Sequence, residues 1–330
     1  MEENLSFNFN NVLGKENRAF YMGIAMIGII GYHLYLHDVD FYNTSFKIFR
    51  NIFKYGYVGV DIFLFFSAYG LCHSWINSSA KNFYIKRFVR IVPIYLFFCL
   101  VKYCFDRDNN IVNFIYYRLL EISSLSLVQT KWTCPGNLSL NWFVPAIINL
   151  YLLFPLFFYL IKTVYKRSVI VHIIFIMCIF FGSHLFWNIG IIHGLYVSRI
   201  PIIFVGIFTY FYLKDKRYDE LFFLYAIFAM MTYIIDRDNL RLSCVVPIIL
   251  YALSFKNFTI VKGRNIIYGI SLVGKTSFEC FLAHSYALTF CPHNNVLYTI
   301  LITLGLTLII TYILHKVNTF VSSYILMKIK

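Results

Sequence analysis

The chain has 330 residues, of which 60% are hydrophobic and 13% charged, about half the charged fraction of an ordinary soluble domain, whose norm is roughly 25%. That balance excludes a cytosolic globular enzyme. The mean hydropathy of +0.69 is spread over apolar stretches recurring from Phe20 to Met327, which predicts an all-α integral-membrane bundle and not an anchored soluble domain.

In chain order, a polar segment over 1–18 is expected on the cytoplasmic side. The apolar run after it lacks a small-residue cleavage site and reads as a retained first span. Apolar length and charged interruptions place spans near 19–36, 55–77, 88–105, 141–161, 168–187, 197–213, 219–235, 241–255, 265–291 and 296–315, ten helices forming one transmembrane domain over 19–327. With the N-terminus inside, 18 basic residues fall on the cytoplasmic side and nine outside, which favours both termini inside. Lys47, Arg50 and Lys54 fit that topology poorly. The longest link, near 106–140, is then external, with an interfacial helix expected at Ile111–Ile122 and a Trp-Thr-Cys-Pro-Gly turn at 132–136.

The excess of 29 basic over 15 acidic residues sits in short links between spans, a topological pattern that gives no reason to expect nucleic acid. The 8 cysteines show no CxxC and no Cys/His spacing of a zinc site, and Cys72, Cys99, Cys178, Cys244 and Cys280 fall inside apolar spans as small hydrophobes. No metal is expected.

Ionisable groups cost about 2.5–3.5 kcal/mol each at a helix centre in a bilayer, so those retained there usually face a protein-lined cavity. His33 lies about 21 Å along the first span, and Asp61 about 9 Å into the second, which runs the other way. The two are expected at similar depth on antiparallel neighbours, the carboxylate fixing the imidazole tautomer as a general base requires. Arg87 and Arg90, three apart on one helix face at the inner start of the third span, are placed to grip a polyphosphate. They would equally serve as a positive-inside anchor. Arg199 opens the sixth span, and Lys275 sits midway along the ninth, ahead of Glu279 and His284. Lys275 and Glu279, four apart on one helix, are placed to pair with each other.

Five landmarks in order, YMGIAMIGIIGYH ending at His33, GVDIFLFFSAYG from Gly59, FYIKRFVRIVPIY from Phe83, NWFVPAIINLYLLFPLF from Asn141 and GKTSFECFLAHSY from Gly274, with RIPIIFVGIF from Arg199 as a weaker sixth, make the chain resemble the integral-membrane acyltransferase family 3. That family acylates bacterial surface polysaccharides and related glycans on a ten-helix fold. The resemblance implies that His33 is the catalytic histidine, that Asp61 belongs to its Gly-Val-Asp motif, and that Arg87 and Arg90 are its paired arginines. The family's basic residue ten intervening positions before the histidine falls on Met22. Arg18, one turn earlier, is the basic residue available for that role. A glutamate common after the tryptophan of the fourth landmark is replaced by Ile147 and Ile148.

The expected activity is O-acyl transfer in a bacterial inner membrane, with acetyl-CoA as donor and a surface polysaccharide or lipid-linked glycan as acceptor. Arg87, Arg90 and Arg18 would serve the donor, His33 and Asp61 the chemistry, and Trp142, Arg199, Glu279 and His284 the acceptor or the polar support. The helix rise puts the inner arginines about 20 Å from His33, comparable to a pantetheine arm. A transporter, flippase or polymerase of lipid-linked glycans, or an acyltransferase homologue impaired at position 22, is the alternative.

Overall fold

The computed structural model describes residues 13, 15–36, 47–105, 110–128, 142–235, 265–290 and 296–329. Among these the protein is helical, with one isolated bridge between Val128 and Ile192. Seven helices are long and apolar enough to cross a membrane, or eight if one bent pair is a single span. The chain is therefore an all-α, multi-pass membrane protein. The expected span at 241–255, the turn at 132–136, Cys244 and most of the N-terminal segment lie outside the described residues.

The chain divides into two compact units, Met1–Phe66 with Thr209–Tyr312, and Ser67–Phe208 with Ile313–Lys330. In the first unit, α1 (Lys15–Leu36) is followed by a short α2 (Lys47–Phe53), and α3 (Val58–Ile76) begins there. Small residues set how closely these segments approach. A Cβ on Gly23 would collide with the carbonyl of Ile270, and one on Gly274 with the carbonyl of Ala19. These contacts bring α1 against α11 (Asn265–Lys275) in antiparallel register. On another side of α1, added Cβ atoms on Gly56 and Gly59 would collide with the carbonyls of Gly28 and Ala25. Backbone-to-backbone packing of this kind is how membrane helices associate where lipid removes the hydrophobic drive.

The expected ninth span is not one helix. It breaks at Thr276 between α11 and α12 (Ser277–Leu288), whose axes differ by 86°. The expected Lys275 to Glu279 pairing on one helix face is corrected accordingly: Lys275 ends α11 and is exposed, while Glu279 lies buried in the first turn of α12. An acid is favourable at that position because it faces the positive end of the helix dipole. The last helix, expected to end near 315, continues as one helix over Val296–Ile329. The unit also holds α10 (Tyr218–Ile235), where the Thr209 and Tyr225 hydroxyls meet at 2.8 Å.

In the second unit, α4 (Ala80–Phe105) packs on α6 (Phe143–Tyr165) through the stacked, buried rings of Phe83 and Phe154, 5.8 Å apart. Between them in sequence stands α5 (Ile111–Ile122), capped by the Asn110 side chain, which accepts from the amides of Val112 and Asn113. The side of α5 that meets α4 carries Phe114, 4.6 Å from Tyr103 ring to ring, together with Arg118 and Glu121. Ile111, Val112, Ile115, Tyr116 and Leu119 are exposed. Then come α7 (Val169–Ile189), closed by Gly190 at φ +72° as left-handed helix ends favour, a single turn α8 (Gly194–Val197), and α9 (Ile200–Lys214), which continues into the first unit. The last helix, numbered α13, contributes its C-terminal half to the second unit.

Candidate functional site

In the first unit the glycine seam fixes the height and rotation of α1, and His33 sits in its last turn. Its Nδ1 lies 3.1 Å from Nε2 of His284, the ring centroids 4.9 Å apart. His284 is 0% exposed and is backed by the Phe281 ring at 5.3 Å. Two buried acids belong to the same unit: Asp61, 2% exposed in the first turn of α3, and Glu279, 4% exposed. Arg18 and Met22 stand on the same helix as His33, both half-buried. Thus His33, Asp61, Glu279, His284 and Arg18 are collected in one unit, and the direct bond shown for His33 is to His284.

In the second unit Arg87 is half-buried, its guanidinium 5.9 Å from the Phe83 ring centroid, with its Nε buried and without a hydrogen-bond partner. Arg90 is exposed on the same helix. Pro93, four residues after Val89, has no amide hydrogen to give the Val89 carbonyl. The last helix supplies the missing donor, Ser322 Oγ donating to the Val89 carbonyl at 3.2 Å, and Asn318 Nδ2 donates to the neighbouring Arg90 carbonyl at 3.3 Å. The arginine segment is thereby held at its backbone.

Trp142 and Arg199 also come together in this unit. The Arg199 guanidinium, nearly buried, lies 5.2 Å from the Trp142 ring centroid and donates through Nη1 to the Leu195 carbonyl at 2.9 Å. His193, which the sequence does not single out, stacks on Trp142 at 5.9 Å. Burial, and then the Arg199 charge, pull its pKa below the ordinary imidazole value. Beside them the Tyr196 hydroxyl donates to Asn149 Oδ1 at 2.5 Å, one residue beyond the buried pair Ile147 and Ile148 that replaces the expected acid.

A buried polar cluster joining α4 and α5 was also missed. Arg118 Nη1 meets Glu121 Oε2 at 2.9 Å, the Tyr95 hydroxyl at 3.2 Å and Cys99 Sγ at 3.0 Å, and Tyr95 donates to Glu121. The available signal was the spacing of Tyr95 to Cys99 and of Arg118 to Glu121, four and three apart on consecutive helices.

Comparison with known proteins gives one match. The acyltransferase domain family model matches residues 23–316, and no curated protein and no solved structure matches. The match takes in five of the landmarks whole and the first from Gly23 onward, with residues of both units, so this multi-pass membrane chain belongs to the acyltransferase-3 family.

Proposed function

We propose that the protein is an O-acyltransferase of a bacterial inner membrane, moving an acetyl group from acetyl-CoA at the cytoplasmic face to a hydroxyl of a surface polysaccharide or lipid-linked glycan. The observation that supports this reading is the bonded His33 and His284 pair at the end of α1, in a unit with two buried acids, within a chain of an acyltransferase family. His33 takes the proton of the acceptor hydroxyl as its oxygen attacks the thioester carbonyl. The new C–O bond replaces the C–S bond, and the imidazolium returns the proton to the departing CoA thiolate. Asp61 and Glu279 supply negative charge that favours the transient imidazolium. Arg87 and Arg90 hold the CoA phosphates, Arg18 stands in for the basic residue absent at position 22, and Trp142 with Arg199 meets the acceptor.

The test is ester-linked acetate on glycan isolated from cells with wild-type or His33→Ala protein at equal membrane levels. Loss of a positioned base is expected to lower the rate by about 10²- to 10⁴-fold while CoA binding persists. Full acetylation by the variant would remove His33 from the mechanism.

A further inference from the structure

We propose that Asn318 and Ser322 of the last helix are positioning residues for the acyl donor: they clamp the backbone of α4 at Val89 and Arg90 and so fix where Arg87 presents its guanidinium to the CoA phosphates. The inference rests on the reading of Arg87 and Arg90 as the CoA-binding arginines, and adds the element that prepares them.

The need for a clamp is written into α4. Pro93 lies inside the helix, where it gives no amide hydrogen to the Val89 carbonyl and its ring crowds that same carbonyl. A carbonyl freed in this way within a membrane has no water to turn to, and the helix bends at the proline unless a neighbouring side chain satisfies it. The arm that such a bend would swing is the N-terminal one, and it carries Arg87.

The last helix meets α4 at this point. Leu314, Asn318 and Ser322 recur every four residues along one face of α13, the first two buried, whereas Phe320, Tyr324 and Met327 are exposed. Asn318 Nδ2 donates to the Arg90 carbonyl at 3.3 Å. The Ser322 hydroxyl lies 3.2 Å from the Val89 carbonyl and 3.1 Å from Asn318 Oδ1, so its one proton is shared between two acceptors and couples the two side chains. Polar residues that merely join two membrane helices have the whole facing surface to bond to. These two reach consecutive carbonyls beside the proline, inside the arginine segment.

Arg87 is held from a second direction as well. Its guanidinium lies 5.9 Å from the Phe83 ring centroid, and Phe83 stacks on Phe154 of α6. A guanidinium ordered beforehand loses less freedom on meeting a phosphate than one the ligand must order. The clamp residues are neutral, so they orient Arg87 without competing for its charge.

Equilibrium binding of CoA to purified protein tests the proposal in wild type, Ser322→Ala, Ser322→Thr, Asn318→Ala and Arg87→Ala, and in each alanine clamp variant combined with Arg87→Ala. Ser322→Ala and Asn318→Ala are expected to raise the Kd by about threefold or more, the scale of a lost hydrogen bond, and Ser322→Thr, which keeps the hydroxyl, to bind like wild type. With Arg87 already replaced, the same substitutions should weaken binding by much less, because the clamp acts through that arginine. A role confined to holding helices together would lower the fraction of protein that binds and leave the Kd of that fraction unchanged. That result overturns the proposal, as does an equal loss with and without Arg87. An unchanged Kd in Arg87→Ala removes the arginine reading and the proposal with it, whereas weakened binding in Arg87→Ala beside unchanged clamp variants overturns the proposal alone. Should Asn318→Ala fail to fold, Ser322→Ala, which deletes one oxygen from a half-buried side chain, decides the matter.

Discussion

Arg87 and Arg90 stand three residues apart on α4 in different surroundings: the first is half-buried beside Phe83, the second exposed. A guanidinium whose Nε is buried without a partner has the more to gain from a bound phosphate, because its desolvation is already in place. Arg87→Ala is therefore expected to weaken CoA binding by about 10- to 100-fold, the range of a hydrogen bond to a charged group. Arg87→Lys should lose part of that and Arg90→Ala less. Equilibrium binding of CoA to purified protein checks the order, and unchanged affinity for Arg87→Ala would leave both as topological anchors. At this scale the sequence was informative about residue type and weak about partners. It singled out both His33 and His284, yet these are 251 positions apart, and nothing in either motif says that the rings touch. His193 was passed over because a lone histidine near a helix end has no sequence pattern, although it stacks on Trp142.

Among the elements, α1 carries His33 at a height set by glycines on the helices around it. Gly274→Val should force α1 and α11 apart, since a Cβ at that position meets the Ala19 backbone, which cannot step aside. Such overpacking costs about 1–3 kcal/mol, and acyl transfer is expected to fall with it as His33 is displaced. Gly269, on the same α11, has open space where its Cβ would be, so Gly269→Ala should be neutral or slightly stabilising, given the roughly 1 kcal/mol helix preference for alanine. Thermal unfolding in detergent compares the two, and equal midpoints would show that the seam does not hold α1. Apolar length alone made most of these helices legible, including α1, α6, α7 and α9. It could not show the break at Thr276: a bent pair and a straight span have the same composition, and the bend is decided by what each half packs against.

For the whole molecule, hydropathy was sufficient to read an all-α membrane protein, because only helices or closed barrels satisfy their own backbone in lipid. The distribution of lysine and arginine adds an expected direction, with Lys214 at the end of α9 and Lys216 and Arg217 in the link to α10 expected on the cytoplasmic side. A single cysteine placed by Lys214→Cys, in a background cleared of native cysteines, should resist a membrane-impermeant maleimide applied to whole cells and react once the cytoplasmic face is opened. Labelling of intact cells would invert the topology. The division into two units left no mark on the sequence, because each unit takes residues from both halves of the chain and no linker separates them.

The orientation of α5 bears on how the protein is made. This helix turns Arg118 and Glu121 toward Tyr95 and Cys99 of α4 and leaves Ile111, Val112, Ile115, Tyr116 and Leu119 outward, the reverse of a helix on a water-soluble surface. During synthesis it emerges after α4, and without α4 its ions would enter lipid with only each other for company, at a cost of several kcal/mol. It therefore has to wait at the membrane surface until α4 is inserted, and then dock sideways as a folded unit. Insertion and tertiary assembly are one event for this stretch of chain, and a cell that delays or misplaces α4 would present α5 to its quality-control proteases as an exposed apolar helix.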